Sequence, residues 1–188
     1  MKLTFPTWLT LARIVMIPVL VLVFYLPYRW TNFAAAGVFI LAAVTDWLDG
    51  WWARRYQQHS AFGAFLDPVA DKMMVAVALF LIVQGHPTPW MAFWAAVIVG
   101  REIAVSALRE WMAELGARAH VAVSNLGKWK TAAQMAALVI LLANAPVFTF
   151  WVLLGYGLLI VAAALTLWSM LHYLLAAWPH LSTTPKEK

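Results

Sequence analysis

The sequence contains no cysteine and few charged side chains. Without cysteine, the chain has no disulfide, no thiolate metal site and no cysteine nucleophile. Charged residues make up 11% of the 188 residues and hydrophobic residues 64%, whereas roughly 25% of a typical soluble domain is charged. This composition excludes an ordinary soluble domain and indicates a membrane protein.

The apolar residues are gathered into long runs, several of which reach or approach the ~20 residues that cross a bilayer as a helix. Lipid-exposed backbone must form its hydrogen bonds within each segment, which favours helices. We therefore predict an all-α fold, a single domain over residues 1–188 that forms a polytopic membrane bundle of six transmembrane helices with a disordered tail over 181–188. The predicted spans are Trp8–Pro27, Phe33–Arg54, Pro68–Gln84, Trp90–Trp111, Lys128–Asn144 and Val147–Ala176.

The basic residues predict the orientation of this bundle. The formal net charge is +5, and the tendency of cytoplasmic segments to carry lysine and arginine explains it without a nucleic-acid partner. Arg29 alone falls on one side of the six-span arrangement. The opposite side holds Lys2, Arg54, Arg55, Arg118, Lys128, Lys130, Lys186 and Lys188. Both termini and the long connections 55–67 and 112–127 are therefore predicted to be cytoplasmic.

All four aspartates lie within residues 45–72, between two apolar stretches. On the second span, Asp46 and Asp49 share one helical face with Gly50 and Ala53, because these residues stand at i, i+3, i+4 and i+7. Two carboxylates are thus accompanied by two residues with almost no side chain. Such a face lets a ligand or another helix come close to the backbone.

The other two aspartates begin the third span. Proline is favoured at the first helical position and aspartate at the N-cap before it, so we expect Asp67 to cap this helix ahead of Pro68. Asp71 then lies one turn further along the same face. Because the loop before them is short, the second and third spans are expected to be antiparallel neighbours, and the four carboxylates to converge at the cytoplasmic boundary.

Converging carboxylates need positive charge, because unpaired buried charges are costly and like charges repel. Arg54, Arg55 and Lys72 would supply part of it. Oxygen-only ligands favour Mg²⁺, Mn²⁺ or Ca²⁺ over zinc, and a pair of metals held by aspartates stabilises the attacking and leaving oxygens in phosphoryl transfer. An ion-pair network that only joins two helices is the alternative that the residues leave open.

The complete pattern is Asp46-x2-Asp49-Gly50-x2-Ala53-Arg54-x8-Gly63-x3-Asp67-x3-Asp71. It resembles the signature motif of the CDP-alcohol phosphotransferase family, with every fixed position at the family spacing. The stretches PTWLTLARIVMIPVLVLVFYLP, GREIAVSALREWMAELG and VAVSNLGKWKTAAQM resemble one branch of that family, the bacterial phosphatidylglycerophosphate synthases. The resemblance extends to about Leu142, and the last span is similar only in being hydrophobic.

The resemblance implies a six-helix enzyme of the bacterial cytoplasmic (inner) membrane, commonly a homodimer, with its active site facing the cytoplasm. Its substrates would be CDP-diacylglycerol and sn-glycerol 3-phosphate, met at the surface of the membrane lipid. Two Mg²⁺ or Mn²⁺ ions would be held by Asp46, Asp49, Asp67 and Asp71, and Asp71 would also be the general base. Contacts to CDP-diacylglycerol are implied for Thr7, Thr10, Asp49, Gly50, Ala53, Arg54, Ser60 and Gly63.

The acceptor alcohol needs a separate argument, because the motif fixes only the donor chemistry. Glycerol 3-phosphate carries a dianion, so we predict that its pocket contains Arg13, Arg101, Arg109, Lys128 and Lys130. Anchoring of the lysines at the cytoplasmic face, snorkelling of Arg13 and pairing of the other arginines with nearby glutamates are the alternatives.

Two other functions stay open from the sequence. One is a transferase of the same family that uses serine, inositol phosphate or phosphatidylglycerol as acceptor. The other is a divalent-cation transporter that uses the aspartates as a transit site. Transport would be expected to place carboxylates near the middle of the membrane on several helices, whereas here they cluster at one boundary.

Overall fold

A computed structural model describes residues 5–56, 60–114, 125–144, 147 and 149–181, and within them the chain is all-helical, with six helices and no strand. The helices are α1 (Phe5–Phe24), α2 (Thr31–Tyr56), α3 (Ala61–Gly85), α4 (Pro89–Glu114), α5 (Asn125–Ala143) and α6 (Phe150–Leu181). The predicted all-α bundle is confirmed. Helix α6 includes Leu181, the first residue of the predicted tail, and 182–188 lie outside the described residues.

Four of the helices, α1, α2, α4 and α6, are long and apolar enough to cross a membrane. Helix α5 contributes a shorter apolar stretch, Lys130–Ala143. Helix α3 has 25 residues, but three charged residues lie in its first half: Asp67, Asp71 and Lys72. The chain is a multi-pass membrane protein in which α3 and α5 bring polar residues to one end of the bundle.

The start of α3 corrects one prediction. Asp67 does not cap the helix, because α3 begins at Ala61 and Ser60 is its N-cap. The Ser60 Oγ accepts a hydrogen bond from the Gly63 backbone N–H at 2.9 Å, as serine does at many helix starts. Most of the predicted connection 55–67 is therefore helical, and the Asp67 carboxylate is available to a neighbouring helix.

The core of the bundle is apolar and receives a fully buried side chain from each helix. These are Leu20, Phe39, Leu79, Ile98, Leu138 and Leu159. Large apolar side chains also cover the outside, among them Leu22, Trp90 and Phe150, as expected where the surroundings are lipid. The polar residues of the site are gathered at the end where α1, α3 and α5 begin and α2 ends.

Candidate active site

Helix α1 lies along α3 through three polar side chains spaced three residues apart: Thr7, Thr10 and Arg13. This spacing places them on one helical face, and all three are buried. Thr7 Oγ1 lies 2.9 Å from Ser60 Oγ, and Thr10 Oγ1 donates a hydrogen bond to Asp67 Oδ1. The first helix therefore forms one wall of the site.

Arg13 makes the contacts that join α1 to the aspartates of both neighbouring helices. Its Nη2 donates to Asp49 Oδ2 and its Nη1 donates to Asp71 Oδ1. Nη1 also lies 2.9 Å from Asp46 Oδ1. The Arg13 side chain is 1% exposed and that of Asp49 6%, whereas those of Asp46 and Asp71 are 48% and 44% exposed. One guanidinium thus brings three of the four aspartates together.

Three of the aspartates are neutralised by Arg13, whereas the sequence predicted that Arg54, Arg55 and Lys72 would supply part of the positive charge. Arg55 is exposed and Lys72 is half-buried, and the side chain of Arg54 lies outside the described residues. The ion pairs of Arg13 join positions 36 and 58 residues apart in the chain. The sequence signal that could have indicated this role is the regular spacing of Thr7, Thr10 and Arg13 on one face of α1.

Gly63 lies where two hydroxyl groups meet. A Cβ atom at this position would lie 2.9 Å from Ser60 Oγ and 3.2 Å from Thr7 Oγ1, so a larger residue would push the hydroxyls apart. On α2, Gly50 and Ala53 are half-buried beside the aspartates. The residues predicted to contact CDP-diacylglycerol therefore lie at one end of the bundle, with Arg54 on the α2 backbone.

A cavity of about 430 Å³ opens beside the acidic cluster, between α2, α3, α4 and α5. Its charged lining consists of Arg13, Asp46, Asp71, Lys72 and Glu102, and the remainder includes Phe39, Ala42, Ala43, Met74, Val75, Thr131, Gln134 and Met135. An apolar cavity with a few convergent polar groups is the usual form of a small-molecule site. This one suits a substrate with a charged head and an apolar body.

The cations predicted for the acceptor fall in three places. Arg101 Nη1 donates to Glu102 Oε1 at 3.1 Å, and Lys130 Nζ lies 3.4 Å from the same oxygen. Glu102 lines the cavity, and these two cations are held against it. Arg109 is exposed on α4, about 12 Å along the helix from Arg101. The Lys128 side chain lies outside the described residues, and Arg13 binds the aspartates.

The acidic cluster has the donor chemistry of a divalent-cation site. Its ligands are carboxylate oxygens, which Mg²⁺ and similar hard cations prefer, and those of Asp46, Asp49 and Asp71 already converge on one cationic group. Within the described residues, no three acidic or histidine side chains are arranged around a common metal position. Asp46, Asp49 and Asp71 instead surround the Arg13 guanidinium. The donor chemistry of these residues fits a divalent cation, although their present arrangement is that of an ion-pair cluster around Arg13.

Fold and site together define a multi-pass helical membrane protein with an acidic cluster at the mouth of an amphipathic cavity. The model of the CDP-alcohol phosphatidyltransferase family matches residues 3–177, and the chain belongs to this family, as the motif predicted. The family is generally dependent on a divalent metal. Family membership favours the transferase over the cation transporter.

Several bacterial relatives are similar over nearly the whole chain. The chain is 61% identical over 184 residues to the CDP-diacylglycerol–glycerol-3-phosphate 3-phosphatidyltransferase of Pseudomonas fluorescens. The aligned residues cover 97% of this chain and 94% of the relative. It is 55% identical over 177 residues to the protein of the same name from Escherichia coli (strain K12), covering 94% and 96%. The protein of that name from Shigella flexneri serotype 5b (strain 8401) is 56% identical over 177 residues.

Proposed function

We propose that the protein transfers the phosphatidyl group of CDP-diacylglycerol to the 1-hydroxyl of sn-glycerol 3-phosphate, giving phosphatidylglycerophosphate and CMP in phospholipid biosynthesis. The observation that carries the proposal is the convergence of Asp46, Asp49 and Asp71 at the charged end of the cavity. It occurs in a chain at least 55% identical to transferases named for this donor and this acceptor. A charged head and an apolar body are the two parts of CDP-diacylglycerol.

Asp71 is the general base of the proposed reaction. Its carboxylate is 44% exposed and lines the cavity, so an acceptor hydroxyl has access to it. Asp71 takes the proton of the 1-hydroxyl as that oxygen attacks the phosphorus that carries the diacylglycerol. The bond from this phosphorus to the oxygen of the cytidine monophosphate group breaks, and CMP leaves with the electron pair.

The divalent ions of this site are proposed to be two Mg²⁺ or Mn²⁺ ions, held by Asp46, Asp49, Asp67 and Asp71. Such ions neutralise a diphosphate and stabilise the charge that develops on a leaving phosphate. Support comes from the ligand type, since all four side chains offer only carboxylate oxygens. It also comes from the aspartates of α2 and α3 that contact one cationic group, the Arg13 guanidinium. Thr10 orients Asp67 through its hydrogen bond.

The nucleotide of the donor is proposed to bind where α1 meets the start of α3. The hydroxyl groups of Thr7 and Ser60 meet there beside Gly63. Thr10, Asp49, Gly50, Ala53 and Arg54 complete the proposed contacts to CDP-diacylglycerol. Small residues on α2 leave room for the diphosphate beside the backbone.

The acceptor phosphate is proposed to bind Arg101 and Lys130, with Arg13, Arg109 and Lys128 as further cationic contacts. Glu102 already bonds both Arg101 and Lys130 through one oxygen. An incoming phosphate dianion therefore competes with a carboxylate for the two cations. Serine carries no phosphate and would compete poorly, which favours glycerol 3-phosphate over serine as the acceptor.

We propose that the protein lies in the bacterial cytoplasmic membrane with its site open to the cytoplasm. Both the CDP group of the donor and glycerol 3-phosphate are water-soluble, so the site must be open to an aqueous compartment. The protein would work as a homodimer. The exposed apolar surface of the helices supports a position in lipid.

The test measures incorporation of radiolabelled glycerol 3-phosphate into lipid by purified protein with CDP-diacylglycerol and Mg²⁺. Asp71→Asn should lower turnover about 100-fold or more, because a general base contributes a factor of that order, while the protein stays folded and still binds CDP-diacylglycerol. Near-normal turnover in the variant would remove Asp71 from the role of base. Parallel reactions with serine, inositol phosphate or phosphatidylglycerol test the acceptor, and product from one of these alone would overturn the assignment.

A further inference from the structure

A residue of the last helix holds Arg101 in place. Ser169 lies on α6, 68 residues away in the chain, and its Oγ accepts a hydrogen bond of 2.7 Å from Arg101 Nη2. The sequence of this helix is distinguished only by its hydrophobicity. The contact therefore links α6 to the group of side chains proposed to bind the acceptor.

The direction of the Ser169 hydrogen bonds is fixed by its neighbours. The Ser169 hydroxyl donates to the backbone carbonyl of Thr166 at 3.1 Å, which uses its single proton. Arginine has only donors, so the oxygen of Ser169 must accept from Nη2. On the other side, Nη1 of Arg101 donates to Glu102 Oε1 at 3.1 Å. The guanidinium is thus held from two helices, α4 and α6.

Arg101 keeps donor capacity beyond these two bonds. Its side chain is 10% exposed, and Nε is buried without a partner among the described residues. Thr166 Oγ1, one turn from Ser169 on α6, is also buried without a partner there. Nη1 and Nη2 each carry two hydrogens and use one of them in these bonds, so the oriented guanidinium keeps N–H donors for an anionic ligand.

We propose that Ser169 is a positioning residue for the acceptor, which orients Arg101 so that its remaining N–H groups meet the phosphate of glycerol 3-phosphate. The inference rests on the proposed function, in which Arg101 binds that phosphate. A long side chain that is fixed before the ligand arrives loses less conformational freedom on binding. Ser169 would therefore raise affinity for the acceptor without touching it.

The experiment compares kinetics of Ser169→Ala with the wild type for both substrates. Loss of the hydrogen bond to a charged group should raise the KM for glycerol 3-phosphate about tenfold, while kcat and the KM for CDP-diacylglycerol change by less than about twofold. Ser169→Thr keeps the hydroxyl and should restore the acceptor KM. Ser106→Ala is the matched control, because Ser106 also donates to a carbonyl of its own helix but has no bond to Arg101.

Repeating the Ser169→Ala change in an Arg101→Ala background separates the two hypotheses. If Ser169 acts through Arg101, it should have no further effect on the acceptor KM there. An unchanged KM in Ser169→Ala, or an equal rise in both backgrounds, overturns the positioning role and leaves the transferase proposal intact. If Arg101→Ala raises the KM of both substrates equally, the acceptor role of Arg101 fails, and with it the role of Ser169.

Discussion

A guanidinium buried in a helical membrane bundle is stable only where anions surround it, and Arg13 has three of them. The carboxylates depend on Arg13 in turn, because Asp49 is nearly as buried as its partner. Removing one member of a buried ion pair leaves an uncompensated charge, at a cost of about 3–5 kcal/mol. The charge balance of the acidic cluster therefore rests on a residue that precedes the signature motif by 33 positions.

Arg13→Ala is predicted to lower the thermal unfolding temperature of the detergent-solubilised protein when no divalent cation is present. Added Mg²⁺ should recover part of the loss, because it neutralises the same carboxylates. Arg29→Ala is the control, since Arg29 is an exposed arginine in the turn after α1. If both variants melt like the wild type in chelator, Arg13 does not provide the positive charge that stabilises the cluster.

Among single residues, the sequence predicted carboxylates that the structure brings together, but not all of their partners. The face shared by Asp46 and Asp49 follows from helical periodicity, which is local. The pairing of Arg13 with Asp71 crosses 58 residues, and no local pattern encodes it. Asp67 before Pro68 has the sequence pattern of a helix start, but α3 begins at Ala61 after the N-cap Ser60.

At the scale of helices, the packing of α5 against α6 depends on a glycine. A Cβ atom at Gly155 would lie 2.9 Å from Leu141 Cδ2 and 3.1 Å from Ile140 Cγ2. Helices in membranes approach closely where small residues lie at their interface. This contact matters for the site, because α5 carries Lys130 and α6 carries Ser169, and both side chains belong to the network around Arg101 and Glu102.

Gly155→Ala is predicted to destabilise the protein by about 1–3 kcal/mol, the usual cost of overpacking, measured as a fall in the thermal unfolding temperature. Gly157→Ala is a matched control two residues away, since nothing lies within 4 Å of a Cβ atom there. It should be neutral or slightly stabilising because alanine favours a helix. Equal stability of the two variants would show that the contact between α5 and α6 accommodates the added methyl group without a loss of stability.

The helices themselves were largely predictable, because apolar runs long enough to cross a membrane indicate them. Their ends were less so. Helix α6 was predicted over Val147–Ala176 and extends over Phe150–Leu181, since hydrophobicity shows where a membrane begins and ends rather than where a helix does. The hydrogen bond between Ser169 and Arg101 was not predictable either, because a lone serine in an apolar helix has no distinguishing pattern.

At the scale of the whole molecule, the site is built from helix ends that meet on one side of the membrane. Thr7 and Thr10 lie in the first turns of α1, Ser60 precedes α3, and Asp46 and Asp49 lie in the second half of α2. A substrate whose tail lies in lipid and whose head lies in water requires such a boundary position. The side on which this boundary lies decides which pool of glycerol 3-phosphate the enzyme meets.

The orientation is predicted to place this end of the bundle in the cytoplasm, and single cysteines can test it because the chain has none of its own. Arg29 lies just before α2 and Arg55 in its last turn, and both are exposed, so Arg29→Cys and Arg55→Cys report on opposite ends of one helix. A membrane-impermeant maleimide should label the first in right-side-out vesicles and the second in inside-out vesicles. The reverse pattern would place the aspartates outside the cell, away from any source of CDP-diacylglycerol made in the cytoplasm.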